Sequence, residues 1–175
     1  MKKVAKFTKV SYDQFSKDMH DCFDDCRKFT EDEIKDIYAN IKLPTRATSG
    51  SAGYDFRSPI DFELAPGSDI KLPTGIRCEM KNGYFLMCCP RSGLGFKFKQ
   101  RLWNTLGVIA SDYSQSPNEG HIMAKISNES DPMLNKVMTI KAGDAFIQGI
   151  IMKFYITEDD DVTAKRDGGF GSTGR

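Results

Sequence analysis

Ile76-Arg-Cys-Glu-Met-Lys-Asn-Gly-Tyr-Phe-Leu-Met-Cys-Cys89 contains two short β-type runs on either side of a polar turn. Ile76–Met80 alternates apolar and polar residues, as a half-buried strand does, and Tyr84–Cys89 is a nearly continuous apolar run. Lys81-Asn-Gly83 is typical of a turn, because Asn and Gly readily adopt the backbone conformations that tight turns require. The stretch therefore predicts two short strands of an antiparallel β structure.

The same pattern of short β runs continues along most of the chain after Leu43-Pro44. The further runs are Tyr54–Phe56, Asp69–Leu72, Thr105–Ile109, His121–Ile126, Lys136–Ile140 and Phe146–Phe154. Gly, Pro, Asn and Ser separate them, as in Ala65-Pro-Gly-Ser68. Short strands with turn residues about every ten positions are typical of antiparallel sandwiches and barrels. We therefore predict a mainly β core over residues 41–157.

The N-terminal segment, residues 1–40, differs in composition and predicts a helical extension. From Ser11 to Asn40 there is neither Gly nor Pro, and charged residues are dense. Apolar residues recur there at spacings of three and four, as on one face of a helix: Tyr12, Phe15, Met19, Phe23 and Cys26. Thr30 and Glu33 form the pattern of a capping box, which predicts a second helix through Tyr38.

Two interpretations of this extension differ in what covers its apolar face. It is either an arm that binds another protein or a helical hairpin that packs on the chain's own domain. The second is favoured, because the apolar face has to be covered somewhere.

Composition and charge exclude several classes of protein. The 175 residues suit one domain, and 39% apolar residues suffice for a core. With 25 Lys and Arg against 24 Asp and Glu the net charge is +1, so binding through many nucleic-acid phosphates is not expected. No apolar run reaches the roughly 18 residues of a membrane helix, and no signal-peptide pattern is present. We expect a cytoplasmic protein that binds neither nucleic acid nor membrane.

The five cysteines favour a reducing compartment, because their number is odd and none forms a Cys-x-x-Cys pair. Cys22 and Cys26 lie one helical turn apart near His20, a pattern that allows a metal site. The sequence offers no second half of such a site nearby, which argues against it. His121 lies within a β run, where a buried structural histidine is the favoured interpretation.

Three segments carry residues suited to a binding site. Pro90–Gly95 combines a guanidinium, a hydroxyl and flexible glycines in a turn, which suits an anion such as phosphate. Asn104–Tyr113 joins an apolar run to polar groups, as a hairpin that lines a pocket does. Gly168–Gly174 is interpreted either as a segment that folds over a polyphosphate or as a flexible tail.

Five segments follow one another in a specific order: Ala52–Phe56, Pro90–Gly93, Asn104–Tyr113, Gly143–Gln148 and Gly168–Gly174. Their order and spacing resemble the five motifs of the homotrimeric dUTP diphosphatases, the dUTPases. The resemblance covers residues 41–175 and leaves the first 40 outside it. It implies a jelly-roll-like β fold, dUTP as the substrate, and a homotrimer with three active sites at subunit boundaries. It also implies that the C-terminal arm, residues 158–175, closes over a site.

The resemblance implies roles for individual residues. Asp55 resembles the carboxylate that holds water around Mg²⁺, an ion that the three phosphates and water bind rather than the protein directly. The phosphate contacts implied are those of Arg91, Ser92, Gly93 and Gln148. The strand edge that recognises uracil corresponds to Asn104, Gly107 and Ile109. Tyr113 resembles the aromatic ring that lies under deoxyribose and leaves no room for a 2′-hydroxyl.

In the C-terminal arm, Phe170 resembles a lid on uracil, and the groups that hold the outer phosphates correspond to Arg166, Gly171, Ser172 and Thr173. Two features depart from the family pattern. Arg166 lies four residues before Phe170, whereas many members have an Arg five residues before it. The loop Ser114–Glu119 is longer than usual, which resembles a bacterial or phage branch of the family.

The departure at position 110 concerns the reaction itself. Where the family reads Gly-Val-Ile-Asp-x-Asp-Tyr, this chain reads Gly107-Val-Ile-Ala-Ser-Asp-Tyr113. By resemblance, Ala110 replaces the general base, a group that contributes about 10²–10⁴-fold to a rate. Asp112 is not expected to replace it, because on the same strand it would lie about 6.5–7 Å further along.

Two explanations of Ala110 remain. Either an Asp has been changed to Ala so that intact dUTP is retained, or the chain is a natural, catalytically silent dUTP-binding protein with a regulatory partner. The first is favoured, because the other substrate motifs are present. The predicted function is therefore that of a dUTP diphosphatase that Ala110 leaves nearly inactive. A dCTP deaminase is disfavoured, since no catalytic Glu follows Arg91-Ser92 at the required place.

Overall fold

The computed structural model describes residues 2–164 and 166 of the chain. Its elements in chain order are strand β1 (Ala5–Lys9), helices α1 (Tyr12–Phe23) and α2 (Glu31–Asn40), strands β2 (Gly53–Arg57), β3 (Phe62–Leu64), β4 (Asp69–Pro73), β5 (Ile76–Met80) and β6 (Tyr84–Pro90), helix α3 (Ser92–Phe98), and strands β7 (Arg101–Leu102), β8 (Gly107–Ala110), β9 (Met123–Ser127), β10 (Met138–Ile140) and β11 (Ala145–Lys153). Short 3-10 turns cover Ser111–Gln115 and Pro132–Leu134.

All strand pairs of the described residues are antiparallel, which confirms the predicted mainly β fold. A four-stranded sheet has the order β2-β11-β6-β8, and a three-stranded sheet has the order β4-β9-β7. Strand β5 pairs with β1, and β3 pairs with β10. The turn at Lys81–Gly83 therefore connects strands of different sheets, because β5 and β6 pair with different partners.

The core lies between these sheets. Leu72 of β4 and Ile126 of β9 are fully buried on one side, and Leu86 of β6 and Ile147 of β11 on the other. Burying each such side chain contributes roughly 1.5–3 kcal/mol to folding. The inward residues of β6 and β11 alternate with outward ones, so these strands have a second face that carries the candidate site.

The N-terminal helices pack on the β core, which confirms the helical-hairpin interpretation. Phe15 and Met19 of α1 are fully buried, and the Phe15 ring lies 6.1 Å from the ring of His121. The capping box of α2 is confirmed: the Thr30 side chain accepts from the Glu33 N–H, and the Glu33 side chain accepts from the Thr30 N–H. The prediction that Cys26 continues the apolar face of the first helix was wrong, because α1 ends at Phe23 and Cys26 is exposed.

Strand β1 was not predicted from the sequence. Its residues pair with β5 from Ala5 opposite Met80 to Lys9 opposite Ile76. The partner strand supplies the hydrogen bonds, so the weakly apolar sequence of residues 5–9 gave little local signal. None of the helices in residues 2–164 is long and apolar enough to cross a membrane.

Three predicted strands begin two residues later than expected, one of them β10, which begins at Met138 rather than at Lys136. Thr105 has a positive φ of 63°, so a turn occupies residues 103–106 and β8 begins at Gly107. His121 and Ile122 instead form hydrogen bonds to residues 74–76, which include the start of β5, and β9 begins at Met123. The buried structural role predicted for His121 is confirmed, since its side chain is fully enclosed and both ring nitrogens have partners.

Candidate functional site

Residues of three predicted motifs meet in one open cavity. Asp55, Arg91, Ser92, Gly93 and Gln148 all line it. Asp55 on β2 lies opposite Gln148 on β11, which in turn lies opposite Cys89 on β6. Residues paired in this way point to the same face of a sheet, so Asp55 and Gln148 project together towards the start of α3.

Arg91 is held in place from two sides. Its Nε donates to Asp55 Oδ1 over 2.9 Å, and its Nη1 donates to the carbonyl oxygen of Ala145 over 3.1 Å. The side chain of Asp55 is 17% exposed and that of Arg91 is 39% exposed. The guanidinium is therefore oriented at the cavity wall while remaining accessible to an anion, a geometry that suits bidentate phosphate binding.

Gln148 and Gly53 lie in close contact at the same wall. The Gln148 amide donates to the carbonyl oxygen of Pro90 over 3.0 Å. A Cβ atom at Gly53 would overlap the Gln148 side-chain oxygen, so the glycine leaves the space that this side chain occupies. The cavity wall is thus built from the backbone of one strand and a fixed amide of the next.

The segment predicted as a flexible turn at Pro90–Gly95 is instead the end of β6 followed by α3. Arg91 is the N-cap residue, and the Gly95 N–H donates to the Arg91 carbonyl oxygen over 2.9 Å. The glycines concealed this helix, because glycine disfavours helical structure by roughly 1 kcal/mol relative to alanine. Ser92 and Gly93 therefore lie on a regular helical turn at the cavity edge.

The residues predicted to recognise uracil line a second cavity. Asn104, Gly107 and Ile109 face it together with the exposed ring of Trp103, and the Lys125 ammonium lies 3.5 Å from the centroid of that ring. Gly107 lies opposite Cys88 on β6, and a Cβ atom there would approach Cys88 Cβ to 3.1 Å. Burial raises the pKa of Cys88 to about 12, so this thiol is a neutral part of the wall.

Tyr113 lies on the 3-10 turn that follows β8 and is only 5% exposed. Its hydroxyl donates to the carbonyl oxygen of His121 over 3.0 Å and accepts from the Asn118 amide over 2.9 Å. Burial raises the pKa of Tyr113, and the hydrogen bond from Asn118 opposes this shift. The placement of Asp112 on the strand was wrong, because β8 ends at Ala110 and the chain turns there.

Arg166 is the last described residue and contacts the same turn. Its Nε donates to Asp112 Oδ1 over 2.9 Å, and its guanidinium carbon lies 5.8 Å from the centroid of the Tyr113 ring. It is not among the residues that line the Arg91 cavity. The other arm residues predicted for the site lie outside the described residues: Phe170, Gly171, Ser172 and Thr173.

Ala110 and Arg91 are far apart within one chain. Ala110 lies opposite Phe85 at the start of β6, whereas Arg91 directly follows its end at Pro90. At about 3.3 Å per residue the two positions are about 20 Å apart along the strand. Ala110 and Gln148 nevertheless share the outward face of the four-stranded sheet, as the pairing of their strands with β6 shows.

Comparison with known proteins shows which family this chain belongs to. The dUTPase family matches residues 39–174. The chain belongs to the dUTPase family. Strand β1, helix α1 and all but the last two residues of helix α2 precede the part that matches the dUTPases.

Individual dUTPases match over most of their length. The deoxyuridine 5′-triphosphate nucleotidohydrolase of Lactococcus lactis is 37% identical over 139 residues, which cover 78% of this chain and 90% of the relative. The enzyme of the same name from Shigella flexneri is 39% identical over 147 residues, covering 79% and 91%. The crystal structure of dUTPase from Streptococcus mutans has 34% identity and a TM-score of 0.59, covering 68% of this chain and 90% of that one.

A dUTPase from phage phi11 of Staphylococcus aureus resembles the fold at 20% identity, with a TM-score of 0.58 and coverage of 71% and 91%. The dUTPase fold of the chain is thereby confirmed. Sequence reasoning missed the Ala145 and Pro90 carbonyl groups that orient Arg91 and Gln148. Backbone carbonyls carry no residue-type signal, so only the strand register could have revealed them.

Proposed function

We propose that the chain binds dUTP at sites shared between the subunits of a homotrimer, and that this form hydrolyses it slowly to dUMP and pyrophosphate. The cavity of Asp55, Arg91, Ser92, Gly93 and Gln148 carries the proposal. A cationic fork, a hydroxyl and an amide converge there on one open space, which suits a triphosphate. The names of the dUTPases that match the chain support the choice of nucleotide.

The separation of Ala110 from Arg91 supports a shared site. A water that attacks the α-phosphorus needs a base within about 3 Å, while Arg91 lies about 20 Å from position 110 in the same chain. A second subunit that presents its strand β8 to the first would bring the two positions together. The outward face of the sheet also leaves Val108 65% exposed and Met152 39% exposed, an apolar surface that such a neighbour would cover.

The described residues suit a magnesium ion that is bound chiefly by the substrate. They contain no group of three or more His, Cys, Asp or Glu side chains that could hold a metal ion. Asp55, already paired with Arg91, is available to accept hydrogen bonds from metal-bound water. Bound to the triphosphate, Mg²⁺ would neutralise part of its charge and favour attack at phosphorus.

The chain's own groups then bind and orient the substrate. Arg91 and Ser92 hold phosphate oxygens, Gln148 fixes the cavity wall, and Asn104 with the edge of β8 recognises uracil. Tyr113 excludes a 2′-hydroxyl, and the arm residues Arg166 and Phe170 close the site. Position 110 carries a methyl group that accepts no proton, so positioning and charge neutralisation supply the remaining rate.

Calorimetry with dUTP, dCTP and UTP in the presence of Mg²⁺ tests the proposal, alongside light scattering at micromolar concentration. We expect a trimer that binds dUTP more tightly than either competitor. A chain that binds no dUTP would contradict the assigned substrate. A stable monomer that binds dUTP fully would retain the substrate but contradict the shared site.

The alternative is a regulatory protein that binds dUTP without turning it over. The observation that favours it is Ala110 itself, which leaves the binding residues in place. The codon for position 110 in the parent gene separates the two: Asp there identifies an enzyme, and Ala identifies a natural binder.

A further inference from the structure

The N-terminal extension is fastened to the segment that carries Tyr113, residues 111–121. The extension, which comprises β1, α1 and α2, lies almost entirely before the part of the chain that matches the dUTPase family. Two separate ties join α1 and its N-cap residue to the C-terminal end of this segment, at positions two residues apart. The first involves Asp18 and His121, and the second involves Ser11 and Glu119.

The inner tie, the hydrogen bond between His121 and Asp18, is buried, and the structure defines which group donates. His121 is fully enclosed, and its Nε2 accepts a hydrogen bond from the Gly75 N–H over 2.7 Å. The proton of the neutral ring therefore lies on Nδ1, which donates to the Asp18 carboxylate over 2.5 Å. The Gln14 amide donates to the same carboxylate oxygen over 2.8 Å. The helix α1 thus fixes the ring of His121 through a charged acceptor.

The fixed histidine is joined to Tyr113 through its own backbone. The carbonyl oxygen of His121 accepts the hydrogen bond of the Tyr113 hydroxyl over 3.0 Å. The Asn118 side-chain amide donates to that hydroxyl over 2.9 Å, and the Asn118 side-chain oxygen Oδ1 accepts from the Gly120 N–H over 3.2 Å. The position of the Tyr113 hydroxyl therefore depends on where the loop and His121 are held.

The outer tie, between Ser11 and Glu119, holds the C-terminal end of the loop. Both carboxylate oxygens of Glu119 are used: one accepts from the Ser11 N–H over 2.7 Å and the other from the Ser11 hydroxyl over 2.5 Å. Ser11 is also the N-cap of α1, since its side chain accepts from the Gln14 N–H. The hydrogen bonds from Ser11 lower the pKa of Glu119, so the tie is ionised at neutral pH.

The loop has little freedom to move without these ties being affected. Glu119 and Gly120 both have positive φ angles, of 57° and 70°. A Cβ atom at Gly120 would approach the Tyr113 carbonyl oxygen to 2.7 Å, so the loop packs directly against the 3-10 turn. The two ties and this packing therefore connect α1 to Tyr113 through an unbroken series of contacts.

We propose that Asp18 and Glu119 are positioning residues, through which the N-terminal extension holds Tyr113 in the orientation that excludes a 2′-hydroxyl. The inference rests on the proposed function, because it uses the sugar contact assigned there to Tyr113. It predicts that the extension contributes to the choice of deoxyribose over ribose without contacting the nucleotide.

The test is the ratio of the dissociation constants for UTP and dUTP, measured by calorimetry with Mg²⁺. Partial unfolding reduces the binding of both nucleotides equally and leaves this ratio unchanged. We expect Asp18→Ala to lower the ratio roughly tenfold, within the limit of about 10² that a pocket achieves against an added hydroxyl. Asp18→Asn keeps an acceptor for His121 and should restore most of the ratio. Glu119→Gln, at an exposed tie, should lower it by a smaller factor.

Glu31→Gln is the matched control. Glu31 accepts from the Tyr12 hydroxyl and contacts His20, so it joins α1 to α2 but does not touch residues 111–121. In Glu31→Gln the ratio of the dissociation constants for UTP and dUTP should equal that of the unchanged chain. If Asp18→Ala fails to fold, Glu119→Gln decides the test alone.

An unchanged ratio in the folded tie variants would overturn the inference, as would an equal loss in Glu31→Gln. If the unchanged chain shows no preference for dUTP over UTP, the proposed function fails instead. The two failures are therefore distinguishable.

Discussion

Arg91 Nε lies 2.9 Å from Asp55 Oδ1, and this contact joins the first two motifs of the site. The pair is partly exposed, so it contributes only about 0.2–1 kcal/mol to the free energy of unfolding. Its main effect is to orient the guanidinium towards the cavity. Stability and nucleotide binding should therefore respond differently to its loss.

We expect Asp55→Asn to weaken dUTP binding roughly tenfold while the free energy of unfolding changes by less than about 1 kcal/mol, because a charge-assisted hydrogen bond to Arg91 is lost. Calorimetry and urea unfolding measure the two effects. Asp61→Asn is the control, since Asp61 pairs with Lys141 at an exposed position outside the cavity. Equal effects of both variants on binding would contradict the role of Asp55.

Ala110→Asp should raise the rate of dUTP hydrolysis by about two to four orders of magnitude, the range expected for a positioned general base. The affinity for dUTP should change much less, because such a group acts chiefly in the transition state. Pyrophosphate release measures the rate. Ordinary enzyme turnover by the unchanged chain would refute the assignment of position 110 to the general base. An Ala110→Asp variant without activity would favour the regulatory alternative.

Gly53→Ala should weaken dUTP binding with little effect on stability. The added methyl group would overlap the Gln148 side-chain oxygen, and the flexible end of that side chain would rotate away from Pro90. Gly50→Ala, in the loop just before β2, meets no atom within 4 Å and is the control. Calorimetry should show a loss for Gly53→Ala alone; equal affinities in both variants would exclude a role for the Gln148 position.

The His20 contacts predict a dependence of stability on pH. Hydrogen bonds to Asp24 and then to Glu31 raise the pKa of His20 above its ordinary value of 6.5. Its contribution is therefore fully present below pH 6.5 and is lost as the pH rises through the higher folded value. Urea unfolding should be measured at about pH 5.5 and about pH 8.5. The free energy of unfolding of the native chain should exceed that of His20→Gln at the lower pH, and this difference should shrink at the higher pH.

Asp21→Asn on the same helix provides the reference for that experiment. It removes a carboxylate near His20 that makes neither of these two contacts. Its stability difference from the native chain should vary less with pH. A pH-independent difference for His20→Gln would show that the ion pairs do not form in solution.

The β core was predictable because its strands alternate and Gly, Pro and Asn mark its turns. The motif order also located Asp55, Arg91 and Gln148, which the structure brings together. Strand β1 was not predictable, since its partner is supplied from β5 much later in the chain. Helix α3 was hidden by its two glycines, and the turn after Ala110 by an apolar run that resembles a longer strand.

The early position of the extension in the chain has a consequence for folding during synthesis. Ser11 leaves the ribosome before its partner Glu119, which follows 108 residues later. Alone, α1 and α2 fall at or below the roughly 12–15 residues at which isolated helices are marginal in water. Phe15 and Met19 therefore stay uncovered until the strands behind them have been translated. The extension is therefore made before the strands that cover it and reaches its final place only after them.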